Sequence, residues 1–380
     1  MRTTASYDLF PDAPSERAMV RARWLVREGR TADAESAYRA LLSSHPDLKV
    51  CWAEYFELLR ASGRTADALQ LAERAGTQFG ETGFSLTLRG AALIELGRYP
   101  DALAALERAV EADPDLALVW HELGWAAYRL GDKNRALLAL DRAFALEPHT
   151  ETLKLRGRVL RDAGRYQAAE VAFEGAAQAA EHAEQRADAE REVGVTRRYG
   201  FYAPRKPEDL GPAERWFADT GSVVLAPDAG PVAPGDETLV ATFAEVAQDS
   251  GWRFGQVIAL GPPSAAPTSP AWSDLADRVG APLVGPAVFD PAACPLVVAE
   301  RPWPADPGWV QLAAAVPAQG AGLVLVMEHP AEAAGAITAD VIGVLTDGGE
   351  RRLRAPNPAH ALSEAQHPGA RLAGRRLRPA

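Results

Sequence analysis

The chain has 380 residues, 47% apolar and 24% charged, and a formal net charge of −11, so two or three packed domains are expected. The charge is uneven: residues 1–200 carry 27 basic and 31 acidic side chains (net −4), residues 201–350 carry 6 and 19 (net −13), and residues 351–380 carry 7 and 1 (net +6). An acidic body argues against wrapping nucleic acid, and only the last segment has the charge to attract it or an anionic surface.

In chain order, residues 1–14 read as a short irregular lead, with Phe10 and Pro11 able to tuck against the first helix. Met1 to Ala22 has no continuous apolar core behind a basic head, so no signal peptide is expected. No stretch approaches the length of an uncharged membrane span. Cys51 and Cys294 lie in different halves of the chain and read as unrelated thiols, which suits a reducing compartment. A cytoplasmic protein is the expectation.

From about Arg17 to Ala183 a 34-residue period governs the sequence. Gly29, Gly63, Gly97 and Gly131 keep that spacing, and Gly164 follows one residue early. Eleven positions before each glycine stands Ala18, Trp52, Leu86, Trp120 or Leu153, and five after it an alanine: Ala34, Ala68, Ala102, Ala136, Ala169. Pro46, Gly80, Pro114 and Pro148 stand where a helix must end. Each unit therefore reads as two amphipathic helices broken at its glycine, which allows the backbone geometry of a tight turn. In the third unit Leu86, Leu93, Leu103, Leu106, Ala109 and Val110 form the apolar stripe. One pair cannot bury such a stripe alone, so neighbours must stack.

On these residues the stretch 15–183 resembles the tetratricopeptide repeat family, whose period is 34 residues. The resemblance implies an α-solenoid of five helix pairs, curved, with one concave face lined by the first helix of each pair. It implies an architecture, not a reaction. Ala176 to Val193 has strong helix composition and a weak apolar face, as a capping helix requires.

Residues 196–214 read as a linker broken by Gly200, Pro204, Pro207, Gly211 and Pro212. Within it Tyr199, Phe201 and Tyr202 stand beside Arg197, Arg198, Arg205 and Lys206. Such interleaving can stack on nucleotides; the plainer reading is that the aromatics pin the linker to the last repeat. From residue 215 to 348 short apolar runs alternate with helical runs. Strands are expected at Ser222–Ala226, Arg253–Leu260, Pro282–Phe289, Leu296–Ala299, Gly322–Met327 and Val341–Leu345. Helices are expected at Glu237–Asp249, Trp272–Val279, Gly308–Val316 and Ala331–Ile337, with a proline-rich loop at Gly261–Pro270. This pattern predicts a small α/β domain with a mostly parallel sheet covered on both faces. Residues 349–380, rich in Arg, Pro, Ala and Gly, read as a basic, disordered tail.

Two functional readings follow. In open parallel sheets ligands bind beyond the carboxyl ends of the strands. The residues expected there are Asp228, Asp290, Glu300, Glu328, His329 and Asp347, and Glu328 with His329 could share a proton or a metal. Adjacent side chains on extended backbone point opposite ways, which weakens that reading. There is no phosphate-binding Gly-Lys-Ser/Thr loop, no GxGxxG after a strand, no GxSxG elbow, no HExxH and no CxxC. No cofactor is expected. A metal- or nucleotide-dependent hydrolase or transferase is therefore the alternative, not the first reading.

The first reading is a binding module. By the family resemblance, groove positions fall 13, 10, 6 and 3 residues before each glycine: Glu16, Met19, Arg23 and Val26 in the first unit, and Val50, Ala53, Glu57 and Arg60 in the second. The third unit offers Phe84, Thr87, Ala91 and Ile94, the fourth Leu118, His121, Trp125 and Tyr128, and the fifth Glu151, Lys154, Arg158 and Arg161. Large apolar side chains there are a binding signal, and a basic end can clamp carboxylates. The expected occupant is a protein or peptide segment with apolar anchors and acidic groups. A segment of the chain's own acidic second half, or nothing at all, is the other occupancy the sequence leaves open.

Overall fold

The computed structural model describes residues 13–261, 270–302, 307–331, 339–347, 350–351 and 353–378. The lead expected before residue 13, most of the proline-rich loop and all but the first residue of the helix expected at Ala331–Ile337 lie outside them. The chain forms two compact units, one of residues 1–163 with 171–189 and one of residues 164–170 with 190–380.

The first unit is built of paired helices. They are α1 (Ala13–Arg27), α2 (Thr31–Ser44), α3 (Lys49–Ala61), α4 (Thr65–Phe79), α5 (Gly83–Glu95), α6 (Tyr99–Ala112), α7 (Ala117–Arg129), α8 (Lys133–Leu146) and α9 (Thr150–Asp162). The helices α10 (Tyr166–Ala179) and α11 (Ala183–Phe201) each contribute to both units. The turn at Gly97 explains the period. Its φ of 71° is one that L side chains rarely adopt, and Gly97 N and Arg98 N donate back to Ile94 O and Leu93 O at 2.9 and 2.8 Å, satisfying carbonyls the helix end leaves open. The tryptophans eleven positions before a turn glycine act as struts. Trp52 Nε1 donates to Pro46 O and Trp120 Nε1 to Pro114 O, both at 2.8 Å. Each indole thereby ties a first helix to the end of the preceding pair.

A second set of glycines sets how closely paired helices approach. At Gly124 an added Cβ would lie 2.7 Å from Leu140 Cγ and 3.3 Å from the Ala136 carbonyl oxygen. Alanine is the better helix former by about 1 kcal/mol, yet this contact leaves no room for it. Gly124→Ala is expected to destabilise the chain by about 1–3 kcal/mol through overpacking. An unchanged urea midpoint would contradict that.

Among the described residues the second unit holds a sheet with six parallel strands. Its strands are β1 (Val223–Val224), β3 (Gln256–Leu260), β4 (Leu283–Val284), β5 (Pro295–Ala299), β6 (Leu323–Pro330) and β7 (Val341–Asp347), in the order β1-β7-β6-β5-β3-β4. A short β8 (Glu350–Arg351) pairs antiparallel with β7, and β2 (Asp228–Ala229) with β9 (Arg354–Ala355). The helices are α12 (Pro212–Thr220), α13 (Asp236–Asp249), α14 (Pro270–Val279), α15 (Pro307–Ala318) and α16 (Pro358–Ala365). Side chains alternate between two cores, as strand geometry requires. Leu296, Val298, Leu323 and Leu325 pack with Phe243 of α13, Leu275 of α14 and Ala361 of α16. Val297, Ala299, Val324 and Val326 pack with Trp216 of α12 and Trp309 of α15. The continuous apolar strands follow from burial on both faces.

Two expectations are corrected. Residues 196–214 are not a loose linker: Tyr199, Tyr202 and Leu210 are buried in the second unit's core. Nor is the basic end a disordered tail. It forms α16 and then a strap, residues 366–378, along the amino-terminal ends of the strands. Arg371 N donates to Gly221 O at 2.7 Å, Arg376 N to Gly320 O at 2.9 Å, and Arg378 Nε to Gly251 O at 2.9 Å. Those glycines follow α12, α13 and α15, where helix ends present open carbonyls and partial negative charge. Among the described residues, Arg351, Arg354, Arg375, Arg376 and Arg378 each donate from the guanidinium to a group within the fold.

Candidate functional site

The candidate site is the face formed by the first helices of the pairs, α3, α5, α7 and α9. The structure distributes the expected groove residues unevenly. Ile94 is buried among Leu93, Leu106, Leu123 and Ala126, so it belongs to the interior. Phe84 is half-buried and packs edge-on against Phe79, centroids 5.6 Å apart. Trp125 and Tyr128 are half-buried with centroids 5.8 Å apart, and the Arg129 guanidinium lies 5.5 Å over the Trp125 ring. The Tyr128 hydroxyl donates to Asp162 of α9, and burial first, then that carboxylate, pushes its pKa up. Leu118, near the start of α7, is 50% exposed.

The basic end differs from expectation. Lys154 is only 9% exposed, and its ammonium lies 3.2 Å from Glu151 and 2.5 Å from Asp188 of α11. It is neutralised within the unit, which removes it as a clamp for an incoming carboxylate. The Arg161 guanidinium lies 5.6 Å over the ring of Phe173, on the second helix of its pair. Arg158 is half-buried and has interactions of its own.

A polar cluster on the same face went unread as a unit in the sequence. Arg60 of α3 donates to Glu57 at 3.0 Å and to Glu95 of α5 at 2.8 Å. Its Nη1 lies 3.8 Å from Glu122 Oε1 on α7, beyond hydrogen-bond distance. Glu122 is 7% exposed. Burial pushes its pKa up to about 7, with Arg60 opposing and Glu57 and Glu95 reinforcing. Next to it, His121 Nδ1 lies 3.0 Å from Thr152 Oγ1, and burial pushes that imidazole down to about 4. The signal available in the sequence was Glu122 itself, an acid set in the stripe Trp-His-Glu-Leu-Gly-Trp.

In the second unit the expected catalytic residues do not converge. Glu328 accepts from Arg301 Nε and Arg351 Nε, both at 2.7 Å, and Arg351 goes on to Pro234 O and Asp236. His329 points to the opposite face: its ring lies 5.0 Å from that of Trp216 and its Nδ1 3.0 Å from Pro330 O, and burial lowers its pKa. Asp228 accepts from Asn357 at 2.8 Å. Asp290 accepts from Ala292 N at 2.9 Å, at the start of β5, the opposite end of the sheet from Glu328. The expectation fails there because β4 ends at Val284, well short of the strand expected to reach Phe289. Glu300 and Asp347 are exposed at their strand ends. Among the described residues no group of three or more His, Cys, Asp or Glu is placed to hold a metal ion, and no helix is long and apolar enough to cross a membrane.

Comparison with known proteins agrees with the helix pairs. Residues 90–131 match the family model of the TPR repeat, and residues 117–150 that of the tetratricopeptide repeat. The region 90–150 thus carries tetratricopeptide repeats. A comparison with curated proteins finds no match. Among solved structures the chain is similar to a thermophilic TPR protein of Thermus thermophilus, with 18% identity over 47% of this chain and 98% of that one, at a TM-score of 0.43. It is similar to MamA, with 17% identity over 47% and 99%, TM-score 0.34. YrrB, described as a TPR protein with an unusual peptide-binding site, shares 18% identity over 45% and 88%, TM-score 0.32.

Proposed function

We propose that this chain, whose residues 90–150 are tetratricopeptide repeats, binds a segment of a partner protein along the face of its first helices, and that it acts by binding rather than by catalysis. One observation carries the reading. Leu118 is 50% exposed on α7, and Trp125 and Tyr128 lie half-open further along the same helix. A group of apolar and aromatic side chains left part-open together on one helix supports an interaction face, whereas single exposed apolar residues are ordinary, and rigid aromatic rings anchor a partner at low entropic cost. The rival reading, a hydrolase or transferase of the second unit, draws no support from Glu328, whose carboxylate is taken by two arginines.

The test is capture of partners by the full chain and by a Leu118→Asp/Trp125→Ala double variant, each confirmed as folded by circular dichroism. Loss of Trp125 should cost about 2 kcal/mol or more of binding energy. Leu138→Asp on α8, where the leucine is 73% exposed on a second helix, is the control and should capture what the wild type does. Identical captured sets from the wild type and the double variant would overturn the proposal.

A further inference from the structure

We infer that Arg60, Glu57, Glu95 and Glu122 form a subsite for a cationic group, a lysine or arginine side chain or a chain amino terminus, of the segment bound along the first-helix face; the inference rests on the binding role proposed above. Three carboxylates from three helices surround one guanidinium, which leaves an excess of two negative charges when all are ionised. Arg60 donates from Nη1 to Glu57 and from Nη2 to Glu95, while among the described residues its buried Nε has no hydrogen-bond partner. It stops 3.8 Å short of Glu122. Among the described residues the Glu122 carboxylate accepts no hydrogen bond, although only 7% of the residue is exposed. The side chain is nearly buried, but its oxygens are not among the fully buried unpaired polar atoms, so they stay open to an approaching donor, with the Arg60 guanidinium at 3.8 Å as their ion-pair partner. An ammonium brings three donors and a guanidinium five, enough to reach Glu122 and one of the outer carboxylates together.

The surroundings fix the rest of the ligand's chemistry. Leu118 precedes Glu122 by four residues and Trp125 follows it by three, so the three share one stripe of α7. The cation should therefore be flanked by apolar side chains. His121 adds no positive charge beside it near neutral pH, since burial holds the ring neutral. At the far end Lys154 already carries Glu151 and Asp188. The expectation of an acidic ligand is thus replaced by that of a basic one.

The experiment uses the full chain and three sets of acetylated, amidated nine-residue peptides, with leucine and phenylalanine varied around a central lysine, norleucine or glutamate. Binding is read by fluorescence polarisation at pH 8. The lysine set should bind about tenfold or more tighter than the norleucine set, the range of a charge-assisted hydrogen bond, and the glutamate set should bind worst. In Glu122→Gln the lysine advantage should vanish. In Trp125→Ala all sets should weaken while the advantage stays. A Glu57→Gln/Glu95→Gln variant, which leaves the buried position untouched, should reduce the advantage and guards against a folding defect in Glu122→Gln. Equal binding of lysine and norleucine sets, or an advantage that survives Glu122→Gln, overturns the cation subsite and leaves the groove reading standing. Binding of none of the sets overturns both.

Discussion

Asp340→Ala is expected to destabilise the second unit by about 3–5 kcal/mol, the cost of leaving one partner of a buried ion pair alone. Asp340 is fully buried before β7 and accepts from Arg375 Nη1 at 2.5 Å and from Val324 N at 2.9 Å. Burial raises its pKa despite the attraction of Arg375, so the pair does not fully offset its own desolvation. Removing the carboxylate strands a guanidinium that is itself nearly buried and the backbone N–H of Val324 near the start of the interior strand β6. The Asp340→Ala/Arg375→Met double variant should recover part of the loss, because an apolar pair needs no desolvation. Deleting residues 366–378 should do more. The strap also carries the bonds to Gly221, Gly251 and Gly320, so the amino-terminal ends of β1, β3 and β6 lose their partners together. Urea unfolding followed by near-ultraviolet circular dichroism reads both. A truncated chain with an unchanged midpoint would show the strap to be ornamental.

That strap also marks where sequence reading stops. Arginines among Pro, Ala and Gly look like solvated charge, because the groups their guanidiniums meet, Asp340, the Ala292 carbonyl and the Gly251 carbonyl, lie far away in the chain. The repeats are legible for the opposite reason. A turn with φ near 70° demands glycine locally, so Gly29, Gly63 and Gly97 announce it without any tertiary knowledge. The strands are legible because burial on both faces leaves an unbroken apolar run, as in Leu323 to Met327. Lys154 reads as a free cation because its partner Asp188 lies in a helix whose sequence suggests only a cap. Glu122 escapes notice because periodicity assigns a residue to a face but not to a hydrogen-bond partner.

Glu122 and His121 are expected to give the first unit two opposed pH dependences that nearly cancel in the wild type. Glu122 has its folded pKa raised from 4.5 to about 7, by burial first, with Arg60 opposing and Glu57 and Glu95 adding. A raised acid binds more protons folded than unfolded between those values, so its contribution is present below pH 4.5 and lost as pH rises through 7. His121 has its folded pKa lowered from 6.5 to about 4, by burial first, then by His149 and Arg60 against Glu151. It binds fewer protons folded than unfolded in that window, so its contribution is present above pH 6.5 and lost as pH falls through 4. Each shift corresponds to about 2–4 kcal/mol at 1.36 kcal/mol per unit. Between pH 4.5 and 6.5 the slopes oppose. Glu122→Gln should therefore uncover a stability that rises with pH across that range and exceeds the wild type's at about pH 8. His121→Asn should uncover one that falls. The two residues are sequence neighbours, so the double variant need not equal the sum, but it should be flatter than either single one. Urea midpoints of the full chain from about pH 4 to pH 8, followed by far-ultraviolet circular dichroism, carry the comparison. Parallel pH curves for the wild type and both single variants would mean that neither group is held in the protonation state its burial requires.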